Sequence, residues 1–426
     1  MKRIITLMLV IVVGCTFFIG CTDSKAQNNK VIEIKKKVAL LHYFSGTLSG
    51  GLQEMVRVFN TNGQNYELVA TPLDHEAFKT SIHETLASPR SPDLYSYWAG
   101  ARVTSVLENL EPFDEVWESA NLPGNVPPSV REACTYDGKI YLLPITQHYV
   151  AFFYNKKIFA QVGVEPPRTW AEFNVVCEKL KSSGKIPIAL GARDKWPAQF
   201  WFDYLLLRTA GYEYRQQLMK GKVSYADAPV RRVFDLWTEL VKKNYFNSNP
   251  VQTSWDTGAS EAVFQGEAAM TLMGTWIIGY YADANHNWKA GEDYDYFTFP
   301  IVDEGVPSYA LGPIDGFVLS KNALQKQGAK EVLTYLASVD SLKVMSRGSG
   351  GFVPHLGVDK EFYSPMQQRM LHDVQQTPRW AFNYDLATPP VIATAGLNLF
   401  SEILEFPEQR EDLINITATK IEKLWK

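Results

Sequence analysis

The chain has 426 residues, with 42 Lys and Arg against 46 Asp and Glu, for a formal net charge of −4. That length favours two domains over one small module, and 46% hydrophobic with 21% charged residues excludes a disordered chain. The near-neutral balance, with no basic stripe or RNP-type motif, gives no reason to expect a nucleic-acid partner. Aromatic residues reach 13%, with 11 Trp, 21 Tyr and 23 Phe, enough for both a core and a surface of flat rings.

Lys2 and Arg3 precede a largely apolar run, Ile4 to Val13, too short to span a bilayer. Gly14-Cys15-Thr16 interrupts it, and a second apolar patch, Phe17-Phe18-Ile19-Gly20, ends at Cys21 before the chain turns polar. The layout resembles a bacterial lipoprotein signal, in which a small residue precedes the Cys that is lipidated. Cys15 fits the local pattern but would leave Phe-Phe-Ile on the mature end, so Cys21 is the preferred anchor. Residues 1–20 then read as the signal peptide and 21–37 as a flexible, Lys-rich tether. No later stretch has the roughly 20 apolar residues a transmembrane helix needs, so the body is expected outside the cytoplasm, held to a membrane by lipid. Beyond the signal only Cys134 and Cys177 remain, and two separate buried thiols are expected in preference to a disulfide.

Val38–Phe44 reads as a buried strand, followed by a small-residue turn at Ser45–Gly51. Leu52, Met55, Val56 and Phe59 fall at helical spacing. Strands are expected at Glu67–Ala70 and Asp93–Trp98, with a helix over Phe78–Ala87 between them. This alternation predicts an α/β fold with a parallel sheet, whose ligands sit beyond the carboxyl ends of the strands. Ser45–Thr47 and Tyr97–Gly100 occupy those places. Asp137-Gly138 predicts a tight turn, Thr169 a helix cap before Trp170, and Gly266 a turn before a buried strand over Ala268–Met273. Val230, Val233, Phe234, Trp237, Leu240 and Val241 mark one apolar helix face, which assigns Trp237 to the core.

Most catalytic chemistry finds no pattern. The seven His form no His-x-x-x-His pair and no Cys-x-x-Cys exists, so no metal or other cofactor is expected. Gly46–Gly51 has P-loop spacing, but Leu52 stands where the Lys belongs. There is no Gly-x-Ser-x-Gly elbow. Acid pairs such as Asp293/Asp295 arise by chance among 46 carboxylates and do not establish a glycosidase. The chain is not expected to be an enzyme.

Five segments occur in a telling order: Tyr136–Pro144, Phe153–Phe173, Phe264–Trp276, Gly316–Ser320 leading to a helix that ends at Ser338, and Ser349–Pro354. Together they resemble the sugar-type extracellular solute-binding proteins of ABC importers, the group that includes maltose- and glycerol-phosphate-binding proteins, over essentially residues 38–426. The resemblance implies a hinged two-lobe periplasmic-binding-protein fold of type II, with ligand in the interlobe cleft. Residues 38–144 with 303–347 would form the N-terminal lobe, and 150–299 with 355–426 the C-terminal lobe. Crossing segments would lie near 145–149, 299–302 and 348–354.

Sugars present apolar faces and many hydroxyls, so a site needs aromatic platforms and convergent polar groups. On the family pattern the candidate ligand-binding residues are Ser45, Gly46 and Thr47 in the first turn, Tyr97 and Trp98 at the next strand end, and His148 in the first crossing. In the far lobe they are Gln199, Trp201, Trp276 and Trp380, with Asp315 beside Gly316. The carboxylates that maltodextrin binders carry in the first turn and first crossing are replaced here by Ser45, Gly46, Thr47 and His148, which argues against maltose itself. The expected function is capture of a carbohydrate, an oligosaccharide in the first instance, for delivery to ABC permease subunits by a monomeric, lipid-anchored receptor. The alternatives are an exported glycan-active enzyme, a receptor for a phosphorylated or cationic solute, and a sensor presenting its ligand to a membrane receptor. Arg102 and Arg347 keep the phosphorylated solute open.

Overall fold

The computed structural model describes residues 35–62 and 65–426. The signal segment, Cys15, Cys21 and most of the expected tether lie outside the described residues. In chain order the strands are β1 (Lys36–His42), β2 (Tyr66–Pro72), β3 (Leu94–Trp98), β4 (Leu110–Glu111), β5 (Thr135–Tyr136), β6 (Lys139–Ile140), β7 (Leu143–Gln147), β8 (Val150–Asn155), β9 (Ile186–Ile188), β10 (Ala268–Gly274), β11 (Tyr294–Phe297), β12 (Ala310–Leu311), β13 (Ile314–Ser320) and β14 (Trp380–Ala381). Lys36 and Lys37, read from sequence as the end of the tether, instead open β1 and pair with Tyr66 and Glu67. Strand pairing extends into the polar segment because β2 offers backbone partners that far.

Two sheets organise the chain. In the first the order is β2–β1–β3–β13–β4, and β7 also pairs with β13. β2, β1 and β3 are parallel, as strand–helix–strand units require. β13 runs antiparallel to β3, β4 and β7, so the sheet is mixed, not all parallel as the sequence suggests. β13 arrives from the other lobe, and no local crossover helix dictates its direction. The second sheet has the order β11–β8–β10–β9, antiparallel except for β9 and β10.

Each sheet has its own apolar core, which makes the molecule a two-lobed α/β fold. Leu40, Leu52, Phe59, Phe78, Leu94 and Val318 belong to the first core. Phe152, Phe173, Trp201, Trp237, Met270 and Phe400 belong to the second. Amphipathic helices close both: Gly50–Thr61 buries Leu52, Met55 and Phe59, and Ala228–Lys242 buries Val230, Val233, Phe234 and Trp237. Thr169 caps the helix Trp170–Ser182 through a capping box with Glu172. Asp137 and Gly138 take φ of 49° and 77° in the turn joining β5 to β6, the left-handed pair a tight hairpin demands. Cys134 and Cys177 are buried and unpaired, one in each core.

The chain passes between the cores in three places that lie side by side, at Gln147–His148, at Gly312–Pro313 and, between Met345 of the first core and Phe352 of the second, at 346–352. Gln147 and His148 lead from β7 to β8. The His148 N–H donates to the Pro313 carbonyl at 3.0 Å, and Gln147 and Phe352 exchange backbone hydrogen bonds at 2.9 and 2.8 Å. The second passage falls at Gly312–Pro313, between Leu311 in the second core and Ile314 in the first. This differs from the expected 299–302. Phe299 there is core, stacked on Tyr204 at 4.8 Å, and Ile301 bridges to Thr169. The apolar Phe297-Thr-Phe299 run looks like a departing strand but ends inside the second lobe.

Candidate functional site

The carboxyl ends of the first sheet set one wall of a cleft. Asp315 on β13 is the register partner of Trp98 on β3 and of Thr146 on β7, so a single cross-strand row holds all three. The Tyr43 hydroxyl, just beyond β1, donates to Asp315 Oδ1 at 2.6 Å, and the Thr146 hydroxyl donates to Oδ2 at 2.9 Å. His148 Nε2 stands 3.3 Å from the same Oδ2, and its Nδ1 lies 2.9 Å from the Thr275 hydroxyl of the other lobe. Burial drives both ionisable groups toward neutrality: it depresses the His148 imidazolium and raises the Asp315 carboxyl. At neutral pH His148 is therefore uncharged, and the carboxylate relies on hydroxyl donors.

Tyr43 lies flat on one face of Trp98, with ring centroids 4.0 Å apart and planes 13° from parallel. Lys79 Nζ and Arg102 Cζ stand over the indole at 5.7 and 5.6 Å, which sterics puts on the opposite face. Trp98 thus offers the cleft an edge, not a plane.

The second lobe adds three further indoles to the cleft. Trp276 follows β10 and lies across Gly274, where a Cβ would come within 2.0 Å of the indole; only glycine admits the ring. Trp196 packs edge-on to Trp276 at 5.7 Å and tilts against Trp255 at 6.1 Å. The three indoles line the same cleft as Trp98, His148 and Asp315, which has a volume of about 340 Å³.

A charged corner joins the lobes. Asp385 sits in the short helix Tyr384–Ala387, anchored to the second lobe by hydrogen bonds from its own N–H to Gln199 Oε1 (2.8 Å) and from the Tyr384 N–H to Asp203 Oδ2 (2.8 Å). Asp203 in turn pairs with the fully buried Arg215 at 2.6 Å. From the first lobe Lys79 and Arg102 reach Asp385 Oδ2 at 3.4 and 3.5 Å. Burial pushes Asp385 up, but the two cations more than offset it and hold the carboxyl below its usual range.

Of the residues expected from sequence, Ser45, Gly46, Trp98, His148, Gln199, Trp276 and Asp315 meet at this cleft. Thr47 falls in the turn Gly46–Leu48, and its side chain lies outside those described. Three expectations are corrected. Tyr97 is 1% exposed and turns its hydroxyl to the Arg102 carbonyl, because successive strand residues point to opposite faces. Trp201 is wholly buried and packs edge-on to Phe246 at 5.0 Å; two residues past Gln199 on a helix, it faces away from the cleft. Trp380 donates its indole N–H to the Gly312 carbonyl at 3.0 Å and braces the second passage. Sequence reasoning missed Trp196, Trp255, Lys79 and Asp385. Trp196 begins the turn before Gln199 and is the one a polar–aromatic signal was near enough to reveal. The acid pair Asp293/Asp295 lies elsewhere: Asp295 pairs with Arg369 at 2.6 Å. Arg347 stacks on Phe362 at 5.1 Å. Among the described residues no group of three or more His, Cys, Asp or Glu is placed to hold a metal.

Two lobes, three adjoining passages and a polar–aromatic cleft between them define a hinged solute-binding protein. The family model described as bacterial extracellular solute-binding protein matches residues 49–342, and the chain belongs to that family. An uncharacterised ABC transporter extracellular-binding protein of Pyrococcus horikoshii is 27% identical over 381 residues, covering 87% of this chain and 83% of its own. The maltotriose-binding protein of Pyrococcus abyssi is 26% identical over 246 residues, 57% of this chain and 49% of its own. Among solved structures, the bacterial solute receptor AcbH, described as preferring β-D-galactopyranose, superposes with a TM-score of 0.85 at 24% identity, covering 92% of this chain and 100% of its own.

Proposed function

We propose that this chain is an extracytoplasmic receptor that captures a carbohydrate between its lobes and hands it to the permease of an ABC importer. The observation that carries the reading is the pairing of Trp196, Trp255 and Trp276 on one lobe with the hydroxyl-bonded Asp315 on the other. Indoles take the C–H faces of a sugar, and a carboxylate takes its hydroxyls. Relatives named as a probable sugar-binding periplasmic protein and a multiple sugar-binding protein support the same ligand class.

The second lobe holds the ligand first, since it carries the platforms, and the first lobe closes over it. Segments 145–149, 312–313 and 348–354 act as the hinge. The closed state gains because ligand touches both walls there and one wall when open. Lipidation at Cys21 tethers the receptor, which works as a monomer and turns over no substrate. Among the described residues no helix is long and apolar enough to cross a membrane.

A thermal-shift screen against mono- and oligosaccharides, sugar phosphates and amines tests the proposal. A carbohydrate should raise the melting temperature by mass action and be recovered unaltered afterwards. A shift with amines or phosphate esters alone contradicts the ligand class, and a hydrolysed sugar contradicts the receptor role.

A further inference from the structure

We infer, resting on the carbohydrate reading above, that the cleft is built for a single uncharged pyranose ring, in preference to a chain of sugars and to sugar acids or phosphates. Three independent observations carry this.

The first is size. An apolar cavity of about 150 Å³ holds one benzene. The cleft, at about 340 Å³, is a little over twice that, and a hexopyranose has about twice the non-hydrogen atoms of benzene. One ring with its hydroxyls occupies the space about as loosely as benzene occupies that cavity. Two contacts between the lobes border the space. His75 of the first lobe meets Trp196 of the second at 6.2 Å, and Lys79 and Arg102 close on Asp385.

The second is charge. Asp74, Glu76, Asp194, Asp256, Asp315 and Asp385 line the cleft, against Lys79 and Arg193. Lys79 is engaged by Glu76 and Asp385, whereas Arg193 is more than half exposed and lies 3.4 Å from Asp194. Among the described lining residues the one buried cation is taken, so an incoming phosphate or carboxylate would meet mostly like charge.

The third is an unmet pair of neutral groups. Asn383 Oδ1 and Trp276 Nε1 both belong to cleft-lining residues, are buried, and have no hydrogen-bond partner. One is an acceptor and the other a donor. A sugar hydroxyl serves either, whereas an ionised phosphate or carboxylate group placed there serves only the donor.

Isothermal titration of the full-length protein tests this with glucose, galactose, mannose and xylose, their di- and trisaccharides, glucose 6-phosphate, galactose 6-phosphate, glucuronate, galacturonate and glucosamine. One neutral monosaccharide is expected to bind, with its trisaccharide at least 10-fold weaker and its phosphate or uronate at least 100-fold weaker. A trisaccharide that binds more tightly than any monosaccharide overturns the size argument and leaves the carbohydrate receptor standing. Equal binding of a phosphate or uronate overturns the charge argument in the same way. Binding of glucosamine with no neutral sugar, or of no saccharide at all, overturns the inference, and the latter also ends the carbohydrate reading. Asn383→Ala, which removes the buried, unpartnered acceptor of a cleft-lining residue, should weaken the neutral sugar without changing the order of preference.

Discussion

Tyr43 and Trp98 stack 4.0 Å apart at 13°, while the Tyr43 hydroxyl holds Asp315 at 2.6 Å. One phenol therefore covers an indole face and fixes the carboxylate next to it. The aromatic count of the sequence points to sugar platforms, but on this wall the rings are spent on positioning an acid. Three further indoles, Trp196, Trp255 and Trp276, line the cleft from the opposite lobe.

Trp98→Ala is expected to behave as a core truncation. With the side chain 5% exposed and both faces covered, loss of the indole should cost about 3–5 kcal/mol of unfolding free energy without ligand. Urea denaturation measures it. A cost under about 1 kcal/mol, beside a large loss of affinity, would make Trp98 a platform after all.

Asp385→Asn leaves Lys79 and Arg102 without their shared carboxylate in a buried corner. Stability should fall by on the order of 3 kcal/mol, read from the urea midpoint, and ligand affinity should fall as the closed state loses its tie. Adding Lys79→Met should cost less in the variant than in the wild type, since the pair is coupled. Strict additivity would show that no such tie exists.

His42 sets a pH signature. Burial lowers its pKa from 6.5 to about 4, so the fold favours the neutral ring. That contribution is complete above pH 6.5 and is lost as pH falls from 6.5 toward 4, at up to about 1.4 kcal/mol per unit. The wild type should therefore lose stability relative to His42→Gln across this window, by chemical denaturation at pH 7, 6, 5 and 4. A constant difference would place the ring in solvent.

Burial pushes the thiols of Cys134 and Cys177 well above their ordinary value. A thiol reagent should label neither in the native protein and both in urea, and reductant should leave the melting temperature unchanged. Loss of stability on reduction would indicate a disulfide.

Local signals were legible in the sequence. The helix face through Trp237, the Thr169 cap and the Asp137-Gly138 turn each depend on residues within a few positions, and each forms as read. The strand–helix alternation located Trp98 and the first-turn residues at one end of the sheet. Long-range pairings were not legible. Asp385 meets Lys79 from 306 residues away, and no periodicity announces it. Trp255 opens an irregular helical turn, Trp255–Ser260, with no repeating pattern to orient it. Trp201 was misread because its nearness to Gln199 in sequence is opposition around a helix. The second passage was misplaced because a buried strand end and a departing segment share the same apolar composition.

The most direct measurement is a pair of calorimetric titrations, wild type and Trp276→Ala, with whichever sugar gives the largest thermal shift. The wild type should bind one molecule per chain, and the variant should lose at least about 2 kcal/mol, or 30-fold in affinity, while keeping a cooperative melt. Unchanged binding in the folded variant would put the sugar outside this cleft and contradict the central claim.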